Sequence, residues 1–272
     1  MKQSRFTLMR FLLYNICYGT HGNQRKFPLL GMLGRTRNHL IGITEFIKQQ
    51  NPDVVGLIEV DSGSYRSGKK SQVEVIAEEL GHFHAYCSKY ATDSRWQRIP
   101  IYNKQGNAFL ARDTIRGEKF HYFERGMKKL VIELELEKVT FFLVHLALNY
   151  KTRQAQILHL YHMIKETGRP YIVAGDFNAF MGEDEIQLLM SASGLQNADR
   201  DMQPSFPSRN PKRHLDFILH SPDIIVRHFE MPSIKLSDHL PLILDFDIAE
   251  VNTGNEIPLP PNEEEGRIKQ GD

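Results

Sequence analysis

Six places in the sequence put a metal-binding or titratable side chain where an apolar run starts or stops. "RFLLYN" stops at Asn15, "DVVGLIE" at Glu59, "TFFLVH" at His145, and "YIVAGDFN" at Asp176 and Asn178. Asp216 in "HLDFI" and the pair Asp238-His239 in "SDHLPLIL" flank two more apolar runs. Taken alone, Gly175-Asp176-Phe177-Asn178 is turn chemistry, because turns favour Gly, Asp and Asn. Recurrence at six strand ends calls for another reason. Oxygen donors from Glu, Asp and Asn suit a hard divalent cation, Mg²⁺ or Mn²⁺, whereas zinc draws more on His and Cys. Phosphodiester hydrolysis needs a metal on a non-bridging oxygen, a water in line and charge stabilisation at the leaving oxygen. Carboxylates, amides and histidines are the side chains that such a reaction uses.

For these residues to meet, their strands must share an edge. In open α/β sheets ligands gather at the carboxyl ends of strands, so such a fold brings them together. The chain alternates short apolar runs with longer amphipathic segments. Strands are expected at 10–16, 53–60, 107–112, 129–137, 139–148 and 171–175, and in "LDFILH", "IIVRHFEM" and "LPLILDFDI". Leu40, Ile43 and Ile47 give 36–50 one apolar helical face, and Gly81 closes a second helix over 71–81. Ile157, Leu160 and Ile164 share a face of a long helix over 150–168, which Gly168 and Pro170 stop. "EDEIQLLMSAS" reads as a fourth helix. No internal repeat and no Pro- or Ser-rich linker divides the body, so one α/β domain is expected over 8–248. The remainder, 249–272, is polar with prolines and an acidic run, the composition of a disordered tail.

The 272 residues are 41% hydrophobic and 25% charged, ordinary for a globular protein with a sizeable core. A net charge of +1 gives no overall bias toward nucleic acid or anionic membrane, although "RGEKFHYFERGMKK" and "RNPKRH" are locally basic. Two cysteines, Cys17 and Cys87, form no CxxC pair and no disulfide framework, which suits a reducing, cytoplasmic setting. No stretch approaches the length of a membrane span.

The motifs in order are Asn15 after the first strand, "LIEVD" around Glu59, "GNAFLAR", "HLAL" at His145, "GDFNA", "SFPS…HLDFIL" and "SDHLP". Together they resemble the endonuclease/exonuclease/phosphatase superfamily of metal-dependent phosphoesterases, of the deoxyribonuclease, AP-endonuclease and sphingomyelinase type, over essentially the whole domain. That resemblance implies a four-layer αββα sandwich, with two mixed sheets face to face and helices outside. It implies Glu59 as main metal ligand with Asn15 and Asp238 assisting. Asp176 and Asn178 would position the attacking water and the phosphate. His239, oriented by Asp216, would be base or transition-state stabiliser, and His145 would protonate the leaving group. Asn107 stands where some branches keep a carboxylate near the histidine, and Phe206 where relatives keep a substrate-facing aromatic. Arg153 is a further candidate phosphate contact, with a solvated helix arginine as the alternative.

The resemblance leaves the phosphoester open. A phospholipid or small-molecule phosphodiester is favoured over nucleic acid, and DNA or RNA cleavage is the alternative. In 23–37, Phe27, Leu29, Leu30, Met32 and Leu33 are flanked by Arg25, Lys26, Arg35 and Arg37. The segment is expected either to form an amphipathic lip at a membrane surface or to extend the first helix into the core. A catalytically silent binding protein on the same fold is the competing class.

Overall fold

A computed structural model describes residues 8–20, 36–90 and 94–249. The expected lip at 23–37 therefore lies almost wholly outside the described residues, as do 250–272.

Two six-stranded mixed sheets carry the chain. The first has β1 (Met9–Asn15), β2 (Val54–Asp61), β3 (Phe83–Ser88), β4 (Gln105–Ala111), β11 (Ile224–Glu230) and β12 (Leu242–Ile248), in the order β11-β12-β1-β2-β4-β3. The second has β5 (Gly117–Tyr122), β6 (Leu130–Glu135), β7 (Thr140–His145), β8 (Tyr171–Asp176), β9 (Gln196–Asn197) and β10 (Asp216–His220), in the order β5-β6-β7-β8-β10-β9. Helices α1 (Arg37–Gln50) and α2 (Gln72–Leu80) serve the first sheet, and α3 (Tyr150–Lys165) and α4 (Asp184–Ser193) the second. The four-layer expectation is met.

Alternation along each strand explains the layers, because successive side chains face opposite sides of a sheet. Phe11 and Leu13 of β1, Phe109 of β4, Phe141 and Leu143 of β7, and Leu244 and Phe246 of β12 form the core between the sheets. Their neighbours face outward. Leu12 and Tyr14 pack with Ile43 and Ile47 of α1, while Phe142 and Val144 pack with Leu160 and Ile164 of α3. At the centre, the Phe141 ring lies 5.1 Å from Phe11, 5.9 Å from Phe109 and 6.3 Å from Phe246.

Strands β3, β5 and β9 escape a search for apolar runs. All three are sheet edges, where one flank meets solvent, and β5 is nowhere fully buried. An edge strand needs no continuous apolar face, and charges on it blunt unwanted pairing.

Candidate active site

The same alternation decides what the strand ends present. Asn15 continues the inward set Phe11 and Leu13, and His145 continues Phe141 and Leu143. Asp176 continues Ile172 and Ala174, and Asp216 precedes inward Ile218 by two residues. Parallel pairing of β7 with β8 sets His145 opposite Asp176, and antiparallel pairing of β8 with β10 sets Asp176 opposite Asp216. Three neighbouring strands thus present three buried polar groups to one end of the cleft between the sheets. Gly175, opposite Val144, allows that pairing, since a Cβ there would come within 1.9 Å of the Val144 carbonyl.

Glu59 is the exception that the backbone repairs. Val55 and Leu57 face α1 and α2 while Ile58 faces the other sheet, so strict alternation turns Glu59 toward the helices. Instead β2 shifts register against β4 between Leu57 and Val60, Glu59 adopts φ 57°, and Val60 returns to the helix side. This bulge re-aims the carboxylate into the cleft, where Oε1 lies 3.9 Å from His145 Nε2. Asn107 supports the bulge: its Oδ1 accepts the Glu59 N–H at 3.2 Å. That contact makes Asn107, which stands where some branches keep a carboxylate near the histidine, a support for Glu59.

Hydrogen bonds knit the cluster. Asp176 Oδ2 accepts from Asn15 Nδ2 at 3.3 Å and lies 3.3 Å from His145 Nε2, while Oδ1 accepts the Asn178 N–H at 3.0 Å. Asn178, at φ 52°, donates from Nδ2 to the Leu146 carbonyl at 2.8 Å, tying the exits of β7 and β8 together. His239 Nδ1 lies 2.7 Å from Asp216 Oδ2, which also accepts from Ser205 Oγ at 2.6 Å. Its Nε2 points to Asp176, 3.9 Å away. Ser237 Oγ donates to the Asn15 carbonyl at 2.7 Å and so moors the Asp238-His239 loop to β1. The Phe206 ring stands 4.8 Å from the His239 ring and walls that flank, next to Phe180. The Phe206–Pro207 peptide is cis.

Charge is arranged as tightly. Burial pushes the Asp176 carboxyl up, but the His145 hydrogen bond and the charges of His145, His239 and Lys128 outweigh it and keep Asp176 ionised. Burial likewise raises the Glu59 carboxyl, and Lys128, His145 and Lys89 together bring it below its ordinary value. Burial lowers His145, Lys128 lowers it further, and the contacts with Asp176 and Glu59 do not compensate. Burial works against the His239 imidazolium too, yet Asp216, Asp176 and Asp238 lift it to about 10. The site thus pushes its two histidines in opposite directions, His145 down and His239 up. Asp238 is pushed up by burial and by the neighbouring Glu59 carboxylate.

Two groups of side chains here have the donors for a metal. Asp176, Asp216 and His239 bring ligand atoms within 4.8 Å of one another, but His239 carries a proton and Asp216 Oδ2 already accepts two hydrogen bonds. Glu59 and Asp238, with Asn15 nearby, offer hard oxygens, and their mutual repulsion is what a divalent cation relieves. The second set fits Mg²⁺ or Mn²⁺ better.

Arg153, too, behaves otherwise than expected. Arg153 is fully buried in α3, where Nε pairs with Glu185 of α4 and Nη1 donates to the carbonyls of Ala147 at 3.1 Å and Leu148 at 2.9 Å. Neither a phosphate contact nor a solvated arginine, it clamps two helices and the β7 exit. The sequence reading missed Lys89 and Lys128. Lys89 follows β3, which runs parallel to β2 through β4, and Lys128 precedes β6, antiparallel to β7, so both arrive at the same edge. Recognising edge strand β3 would have exposed Lys89, which burial pushes down to about 8 and which donates to Tyr18 Oη at 2.6 Å.

The sequence pattern described as the Endonuclease/Exonuclease/phosphatase family matches residues 13–239. No curated protein matches the chain. Among solved structures, an endonuclease/exonuclease/phosphatase from Bacteroides vulgatus is 18% identical, with a TM-score of 0.67 over 89% of this chain and 99% of that one. The human Nocturnin catalytic domain with bound sulfate is 21% identical, with a TM-score of 0.62 over 89% of this chain and 95% of that one. A mannosyl-6-phosphatase from Bacteroides thetaiotaomicron is 14% identical, with a TM-score of 0.65 over 88% and 99%. At these identities the likeness is one of fold.

Proposed function

The chain belongs to the endonuclease/exonuclease/phosphatase family, hydrolases acting on phosphoester bonds, and from that premise we propose that it is a divalent-metal-dependent phosphodiesterase. The observation that carries the reading is the cluster itself: Glu59, His145, Asp176, Asn178, Asp216, Asp238 and His239 meet at one end of the inter-sheet cleft. A binding protein would have no need of a bulge that re-aims one carboxylate or of two histidines whose titration is pushed in opposite directions.

Glu59 and Asp238, with Asn15 assisting, would hold Mg²⁺ or Mn²⁺, which would supply Lewis acidity toward a phosphoryl oxygen. Asp176, kept ionised and 3.3 Å from His145, orients the attacking water, and the Asp176–His145 pair takes its proton. As the new O–P bond forms, the bond to the leaving oxygen breaks in line. His239, held as an imidazolium by Asp216, stabilises the charge that grows on the phosphoryl oxygens. Between the two roles considered for His239, this charge state favours stabiliser over base. His145, pushed down by burial and in contact with Asp176, serves as its partner instead of the proton donor expected for the leaving group.

Exposed apolar side chains favour a lipid or small-molecule phosphodiester over nucleic acid. Leu148 and Tyr150 follow β7 and Met181 follows β8, at 60%, 47% and 85% exposure, on segments that leave the catalytic edge. Such a rim suits apolar substituents on the ester. Among the described residues no helix is long and apolar enough to cross a membrane.

The test measures hydrolysis of an aryl phosphodiester, phospholipid vesicles and plasmid DNA with Mg²⁺, Mn²⁺ or EDTA. Turnover is expected with either metal, absent with EDTA and abolished in Glu59→Gln, whose Mg²⁺ binding also weakens. Near wild-type turnover by Glu59→Gln would overturn the assignment, and plasmid cleavage without vesicle or aryl-ester hydrolysis would make the enzyme a nuclease.

A further inference from the structure

Lys128 enters the catalytic edge from the segment between β5 and β6, a region that supplies none of the residues described in the reaction. Its Nζ contacts His145 Nε2, and of the neighbouring charges it lowers Glu59 most. A flexible ammonium at a surface usually has many positions open to it. This one has its backbone fixed from another element. Gln156 of α3, almost fully buried, donates from Nε2 to the carbonyls of Lys128 at 2.7 Å and Arg125 at 3.0 Å. Through Oε1 the same side chain accepts the Ala147 N–H at 2.8 Å, just beyond His145. Gly126 lets the segment come this close: at φ 102°, an added Cβ would lie 2.9 Å from both Gln156 Nε2 and Thr152 Cγ2. One amide therefore holds the Lys128 segment and the His145 exit in register.

We propose that Lys128 is a phosphate-binding residue of this site and that Gln156 is its positioning residue. The inference rests on the reading of the site as one for phosphoesters. Lys128 faces Glu59, Asp176 and His145, the groups around which an anionic phosphoryl group would sit. An ammonium is a compact charge with three donors, suited to a phosphoryl oxygen. Its contact with His145 Nε2 places the ammonium beside the position that the phosphoryl oxygens of a bound ester would take.

Calorimetric titration of inorganic phosphate into the Mg²⁺-loaded full-length chain tests this, alongside KM and kcat for an aryl phosphodiester. Lys128→Met is expected to weaken phosphate binding about tenfold, the scale of one charge-assisted hydrogen bond, and to raise KM. Lys128→Arg recovers most of that loss. Gln156→Leu weakens phosphate binding less, and the double variant is no weaker than Lys128→Met, because Gln156 acts through the lysine. Unchanged phosphate affinity in Lys128→Met would overturn the proposal. Unchanged phosphate affinity with tighter Mg²⁺ binding would show instead that the ammonium only competes for the metal's place. Phosphate binding that needs Lys128 in a chain that hydrolyses no ester would uphold this assignment and remove the enzymatic reading.

Discussion

At the scale of single residues, the Asp216–His239 pair sets both the chemistry and the response to pH. His239 is raised from an ordinary value near 6.5 to about 10. A group raised in the folded state stabilises the fold fully below its unfolded pKa, and that stabilisation is lost as pH rises through the folded one. The window is therefore about pH 6.5 to 10. Lys89 has the opposite slope: lowered to about 8, it gains stability with rising pH up to its ordinary value near 10.5. The informative quantity is thus the difference between variants. In EDTA, chemical denaturation from pH 6 to 10 should show a smaller alkaline loss in Asp216→Asn than in wild type, and parallel profiles would mean that Asp216 does not set the His239 charge. In turnover, Asp216→Asn should cost less than His239→Ala, since it misorients the imidazole without removing it.

At the scale of elements, a bulge and a buried ion pair do the positioning. Asn107→Ala leaves the Glu59 N–H without its acceptor, a loss of about 1–3 kcal/mol for a buried polar group. Relaxation of the bulge would turn Glu59 back toward the helices, so Mg²⁺ affinity should fall further than stability alone explains. Isothermal titration beside thermal melting measures both, and unchanged Mg²⁺ affinity would relieve Asn107 of that role. Arg153 makes the opposite prediction. Arg153→Ala strands Glu185 in α4 without its partner and should cost about 3–5 kcal/mol, as broken buried pairs do. The folded fraction should keep its KM, whereas a raised KM at unchanged melting temperature would restore a substrate role.

At the scale of the whole molecule, the site exists only while the sheets stay packed. Asn15 and Glu59 come from one sheet, His145, Asp176 and Asp216 from the other, and Asp238 and His239 from the loop before β12. Phe141, in contact with three rings of the opposite sheet, holds the halves together. Phe141→Ala should cost about 3–5 kcal/mol. Because both sheets share that core, calorimetry should show one transition at lower temperature, with turnover lost in step. Two separated transitions would mean that the sheets are independent units.

The sequence by itself determined the class of fold and most of the site, because both rest on local signals. Buried strands such as 10–16 and 139–148 announce themselves as apolar runs, and a polar residue where such a run stops stands out against them. Asp216 and His239 needed only their motifs. Tertiary structure alone decided three things. Edge strand β3 carries no apolar run, so the arrival of Lys89 at the site shows only once β3 pairs with β4, while Lys128 lies outside the apolar run of β6 and reaches the site through the pairing of β6 with β7. Arg153 has the composition of a phosphate ligand, and only the packing of α3 against α4 commits its charge to Glu185. For Glu59, strict period-two alternation points to the helix side. Its place in the cleft comes from one left-handed residue in a bulge, which Asn107 stabilises from a strand nearly fifty residues away.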